Sequence, residues 1–138
     1  MRLTTPLLVG VGGAVGGLLR YALDVAFPTA SGAIPWTTFV INVVGSFALG
    51  LLVVGVMGRR SAPHWVRPAL GTGLLGGFTT FSALTHAVDL LATDGHVVAG
   101  AVYLVLSLSA GILAAALGVA VGARLPAVVP PPEAEARP

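Results

Sequence analysis

The chain has 138 residues, of which 56% are hydrophobic and only 9% charged, against roughly 25% charged in soluble domains. That composition belongs to a membrane protein, and the absence of cysteine excludes a disulfide framework and any thiolate metal site. A net charge of +2, scattered along the chain, is too small for nucleic-acid binding.

Four segments each supply the roughly 20 apolar residues that a bilayer requires, which predicts an all-α integral membrane protein. A polypeptide this short cannot enclose a roomy channel alone, so an oligomer is expected. The first span covers about 7–27. Its only nearby positive charge is Arg2 and it contains Arg20, so it does not read as a cleaved signal peptide. Gly12, Gly13, Gly16 and Gly17 form two overlapping G-x-x-x-G patterns, a spacing that lets helix backbones approach closely. Arg20 is costly at depth unless it is paired or reaches water. No acid inside the spans is an obvious partner, which points to a positive vestibule that draws in anions.

The second span, about 36–57, carries no charge. Thr38, Asn42 and Ser46 recur every four residues and make one polar stripe. Such a stripe serves interhelical hydrogen bonding or lines a pore, where amide and hydroxyl donors replace water around an anion.

The third span, about 68–92, holds GTGLLGGFTTFS at 71–82. Glycine weakens a helix, and in a bilayer a freed carbonyl must find another partner. The stretch therefore predicts a helix broken at a Gly-rich mid-membrane site, its carbonyls facing a buried site. Phe78, Thr79, Thr80, Phe81 and Ser82 are expected to restart the helix. Phe78, Phe81, Ser82 and Thr85 then share one face at i, i+3, i+4 and i+7; taken singly the two rings read most simply as core residues, though their positive edges can also face an anion. His86 and Asp89, one turn apart, read as vestibule residues, too few to hold a metal. Gly71, Gly73 and Gly76 also match G-x-G-x-x-G, with Asp94 at the distance of a ribose-binding acid. The nucleotide reading fails because it requires a preceding strand and a soluble βαβ unit.

In the fourth span, about 97–122, Tyr103 and Ser107 repeat the i, i+4 spacing, with Ser109 on a different face. Residues 1–125 form the membrane domain, and the proline-rich polar tail, 126–138, is expected to be disordered. No nucleophile, base and orienting acid converge, so the chain does not read as an enzyme. With four spans, the N-terminus, second loop and C-terminus share a side carrying Arg2, Arg59, Arg60, Arg67, Arg124 and Arg137. The opposite side has no lysine or arginine and lies near Asp24, Asp89 and Asp94. That bias predicts both termini in the cytoplasm, with Trp36 and Trp65 as interface anchors.

Taken together, GGAVGGLLRY at 12–21, TTFVINVVGSFALG at 37–50 and GGFTTFS at 76–82 resemble the Fluc/CrcB family of fluoride channels, over residues 7 to about 122. The resemblance implies a passive, fluoride-selective channel of the cell membrane that protects the cell by letting fluoride leave. It implies a dimer of oppositely oriented subunits with two pores and a structural sodium ion at the centre. By that likeness Phe78 and Phe81 line the fluoride path, Asn42 is the pore amide with Thr38 nearby, and Arg20 is the vestibule arginine. Hydroxyls come from Thr79, Thr80, Ser82, Tyr103, Ser107 and Ser109. The sodium is expected on the backbone carbonyls of Gly73 and Gly76, in line with the oxygen preference of hard cations.

This chain departs from the family pattern where TTFS usually continues with threonine, phenylalanine and then glutamate; here Ala83, Leu84, Thr85, His86 and Ala87 follow. Ile112 and Leu113 stand where some members place another pore hydroxyl. The arginine bias adds a further expectation. One sequence that inserts both ways normally has a bias near zero, so a fixed orientation and an obligate, oppositely oriented paralogue are expected, giving a heterodimer. Two other readings compete. A small proton-coupled exporter, like the four-span multidrug carriers, needs a membrane-embedded acid, and the spans have none at mid-depth. In a non-conducting partner subunit, replacing Asn42, Phe78 or Phe81 would leave fluoride tolerance unchanged.

Overall fold

The computed structural model describes residues 4–57 and 63–125. The tail at 126–138 and Arg2, Arg59, Arg60 and Arg137 lie outside the described residues. Helix α1 is Thr4–Ala26, and α2 is Trp36–Leu52 with a π-wound extension, Val53–Met57. Helix α3 is π-wound over Arg67–Leu75 and tightens into an α-turn at Gly76–Phe78; α4 is Phe81–Thr93 and α5 is Val97–Arg124. Four segments, Thr4–Ala26, Trp36–Met57, Arg67–Thr93 and Val97–Arg124, are long and apolar enough to cross a membrane.

The packing is that of a chain whose solvent is lipid. Hydrocarbon tails give no hydrophobic drive for helix association, so close backbone approach must supply it. Large apolar residues such as Leu18, Val98 and Leu113 therefore face outward, while Gly16, Gly45, Gly50, Gly73, Gly118 and Gly122 are buried. The glycines of α1 seat it on α3. A Cβ on Gly12 would strike the Ala69 carbonyl oxygen, and one on Gly16 would strike that of Leu74. Along the α2–α5 seam, a Cβ on Gly50 would meet the Ala115 carbonyl and one on Gly118 that of Phe47. Leu84, Ala87, Leu91 and Tyr103 close a small core between α4 and α5, with Phe39 of α2 against it.

Alternating helices bring like ends together. At one end the first and third loops meet, where Asp94 Oδ2 accepts the Gly32 N–H at 2.8 Å and the Ser31 hydroxyl at 3.2 Å. At the other end Gly122 of α5 lies against Gly55 of α2.

The third span is broken, but not within its glycines. Helical winding runs unbroken through Gly71, Gly73 and Gly76 to Phe78. The interruption is Thr79 (φ −94°, ψ 134°) and Thr80 (φ −141°, ψ 134°), both extended. Gly73 and its neighbour Gly77 serve contact instead. A Cβ on Gly73 would lie 2.9 Å from the Val9 carbonyl oxygen, and one on Gly77 only 2.5 Å from that of Gly13. The two threonines, β-branched and suited to extended backbone, make the break. Phe78 and Phe81 consequently sit on different helices and do not share the helical face that their spacing suggests.

Candidate functional site

Each half of the break is closed by its own hydroxyl. Both the Thr79 N–H (2.9 Å) and the Thr79 hydroxyl (2.8 Å) are given to the Leu75 carbonyl, which ends α3. Thr80 Oγ1 accepts the Ala83 N–H at 3.0 Å and caps α4. The peptide groups between them would be orphaned in a bilayer, and Asn42 of α2 takes them. Its Oδ1 accepts the Thr80 N–H at 3.1 Å, and its Nδ2 donates to the Thr80 carbonyl at 3.4 Å.

Beside this clamp lies a groove of about 350 Å³, open on one side, between α2, α4 and α5. Asn42, Ser46, Thr79, Thr80, Phe81 and Ser107 line it, together with apolar Leu108 and Ile112. Ser107 is buried, and its hydroxyl has no hydrogen-bond partner among the described residues. Phe81 is 66% exposed, so its ring stands at the groove mouth rather than in a core.

One turn up α2, Thr38 faces a second cavity of about 500 Å³ beneath the joined loops, with Arg20, Asp24, His86 and Asp94 on its walls. The polar stripe of Thr38, Asn42 and Ser46 therefore runs from this vestibule into the groove. The expectation that Arg20 lacks an acidic partner is overturned. Its Nη1 lies 3.6 Å from Asp24 Oδ2 one turn on, and its Nε is buried without a hydrogen bond among the described residues. Nor is the vestibule positive by formal charge among the described residues, where Asp24 and Asp94 share it with one guanidinium, that of Arg20. Asp89 is exposed and does not line it.

Asn42, Thr79, Thr80, Phe81 and Ser107 thus come together as the sequence suggests. Four others stand apart. Phe78 is half-buried, with its ring beside Gly45. Ser82 is exposed and outside the groove wall. The Tyr103 hydroxyl is buried and bound to the Pro35 carbonyl at 3.0 Å, and Ser109 belongs to an apolar surface groove beside Trp36 and Phe39. Sequence reasoning passed over Gly45, whose missing side chain makes room for Thr79. The signal available was a glycine one turn from Asn42 in a span otherwise rich in branched residues.

Backbone oxygens that could hold a cation divide in the same way. The Gly73 carbonyl already shares the Gly76 N–H with Gly71, and α1 presses on Gly73. The Gly76 carbonyl fits better, because in a continuous helix it would receive the Thr80 N–H, which Asn42 holds instead.

Fold and site together define a small multi-pass membrane protein with a lane of amides and hydroxyls running between its helices. Residues 7–119 match the family model described as "CrcB-like protein, Camphor Resistance (CrcB)". The chain belongs to that family. Among curated relatives, "Fluoride-specific ion channel FluC 3" of Streptomyces avermitilis is 45% identical over 83% of this chain and 56% of its own length. "Fluoride-specific ion channel FluC 2" of Nocardia farcinica is 42% identical over 84% of this chain and 80% of its own. "Fluoride-specific ion channel FluC" of Rhizobium meliloti is 41% identical over 83% and 92% respectively. The chain thus spans little more than half the length of the Streptomyces relative.

Proposed function

We propose that this chain is one subunit of a fluoride channel in the cell membrane that lets fluoride leave passively. The observation that carries the reading is the polar lane: Thr38 in the vestibule, then Asn42 and Ser46 beside Thr79, Thr80, Phe81 and Ser107. Relatives named as fluoride-specific channels give that lane its ion. Fluoride is small and strongly hydrated, so a dry path must replace its water with donors yet hold it loosely enough for release. The Ser107 hydroxyl, buried on the groove wall one turn from Tyr103, is a donor of that kind, and the edge of the Phe81 ring adds a weak positive field. A path narrowed between such groups excludes the larger chloride.

The groove is open on one side, and an ion path in a bilayer needs a wall there. A second, inverted subunit supplies it in this reading. The arginine bias favours a paralogue of fixed, opposite orientation, with both termini of this chain in the cytoplasm. Gly76, whose carbonyl the break releases, would contribute to a sodium site shared with the partner; Gly73 would not. Such an ion would supply fixed positive charge tying the two breaks together.

The test is growth in fluoride of a host stripped of its own fluoride export. Expression with the paralogue restores growth, and Ser107→Ala or Phe81→Ile in this chain weakens the rescue. A host that stays sensitive although both proteins are inserted contradicts the reading.

A further inference from the structure

The break depends on a surface of α2 that has a second member. Gly45 lies three residues after Asn42, on the same side of the helix. A Cβ on Gly45 would overlap the Thr79 methyl group, and would also lie 3.4 Å from Phe78 Cδ1 and 3.5 Å from Thr79 Cβ. The Thr79 hydroxyl is tied to the Leu75 carbonyl at 2.8 Å, which fixes the rotamer that turns its methyl toward Gly45. One turn away, Asn42 holds both backbone polar groups of Thr80, its N–H and its carbonyl. Two adjacent extended residues are thus docked sideways on α2, one by a space and one by an amide.

We propose that Gly45 is a positioning residue for the conduction path, acting with Asn42 to hold Thr79 and Thr80 extended. Gly45 touches no ion. It admits the Thr79 methyl, and the backbone reaching Asn42 then places Phe81 at the groove mouth and leaves the Gly76 carbonyl uncovered. Without the seat, Thr79 must move outward, Thr80 leaves the reach of Asn42, and its N–H is free to return to Gly76 and heal the helix. Asn42 in this arrangement is first a clamp on the backbone, its amide engaged at both ends.

The part concerning ion flow rests on the fluoride-channel reading; the part concerning the backbone does not, and the experiment separates them. Full-length protein labelled with ¹³C and ¹⁵N is reconstituted in lipid nanodiscs, and backbone carbon shifts of Thr79 and Thr80 are compared in wild type, Gly45→Ala and Gly45→Ala/Thr79→Ser. Serine keeps the hydroxyl bond to Leu75 and lacks the methyl that the alanine would strike. The Gly45→Ala protein loses the extended shifts, and when it is co-reconstituted in liposomes with the paralogue its fluoride efflux falls at least about tenfold, the scale of loss expected when overpacking displaces a site by a fraction of an ångström. The double variant recovers both. Extended shifts in folded Gly45→Ala, or a double variant no better than the single one, overturn the proposal. Where Gly45→Ala does not fold, recovery of folding by Thr79→Ser supports the fit and its failure counts against it. Shifts that follow the expected order in a protein that carries no fluoride in any form, even with the paralogue present, leave the positioning role standing and contradict the channel reading alone.

Discussion

Asn42 shows how much one side chain can settle in a membrane. Replacing it by alanine leaves the Thr80 N–H and carbonyl without their partners, at a cost of about 1–3 kcal/mol for unmet buried groups. Thermal unfolding in detergent should show that loss in Asn42→Ala, whereas Ser82→Ala, at an exposed position, should unfold like wild type. Arg20 makes a second residue-scale case. Its contact with Asp24 is long, at 3.6 Å, and partly exposed, so it adds little stability, but it offsets the guanidinium charge within the vestibule. Asp24→Asn should therefore leave the melting temperature unchanged and speed fluoride entry at low ionic strength, the gain fading as salt screens the field. An equal effect at high salt would argue for a local change of shape instead.

At the scale of the helix, glycine has two meanings that sequence alone does not separate. Gly12 and Gly16 press on α3, whereas among the described residues nothing lies within 4 Å of a Cβ placed on Gly10 or Gly17. Gly16→Ala should destabilise by about 1–3 kcal/mol through overpacking, and Gly17→Ala should be silent in the same unfolding assay. Equal effects would mean that helix propensity, not contact, governs α1. The same ambiguity explains the misplaced break. The G-x-x-x-G pattern of α1 was legible as close packing, but in 71–77 the glycines read as a rupture, when Gly73 and Gly77 are the other side of that seam and Gly71 meets Met57. The actual break, at Thr79 and Thr80, depends on Asn42, some 38 residues earlier, and no local signal in GGFTTFS reports a partner so distant. Once the break is moved, the shared face of Phe78 and Phe81 disappears with it.

For the whole molecule, the four spans were plain from hydropathy, because a bilayer demands long apolar helices and little else about them. The polar lane was half legible. Spacing on α2 gave Thr38, Asn42 and Ser46, but which hydroxyls of α5 join them depends on how that helix is turned; Ser107 faces the groove, and Tyr103 and Ser109 do not. Under the proposed function, the open side of the groove is walled by a partner subunit of opposite orientation. Fluoride efflux from liposomes, read with a fluoride electrode, tests that account most directly. The chain co-reconstituted with its paralogue should release fluoride and retain chloride, with little release from the chain alone. Chloride release in parallel with fluoride, or no fluoride release from the two folded proteins together, would contradict it.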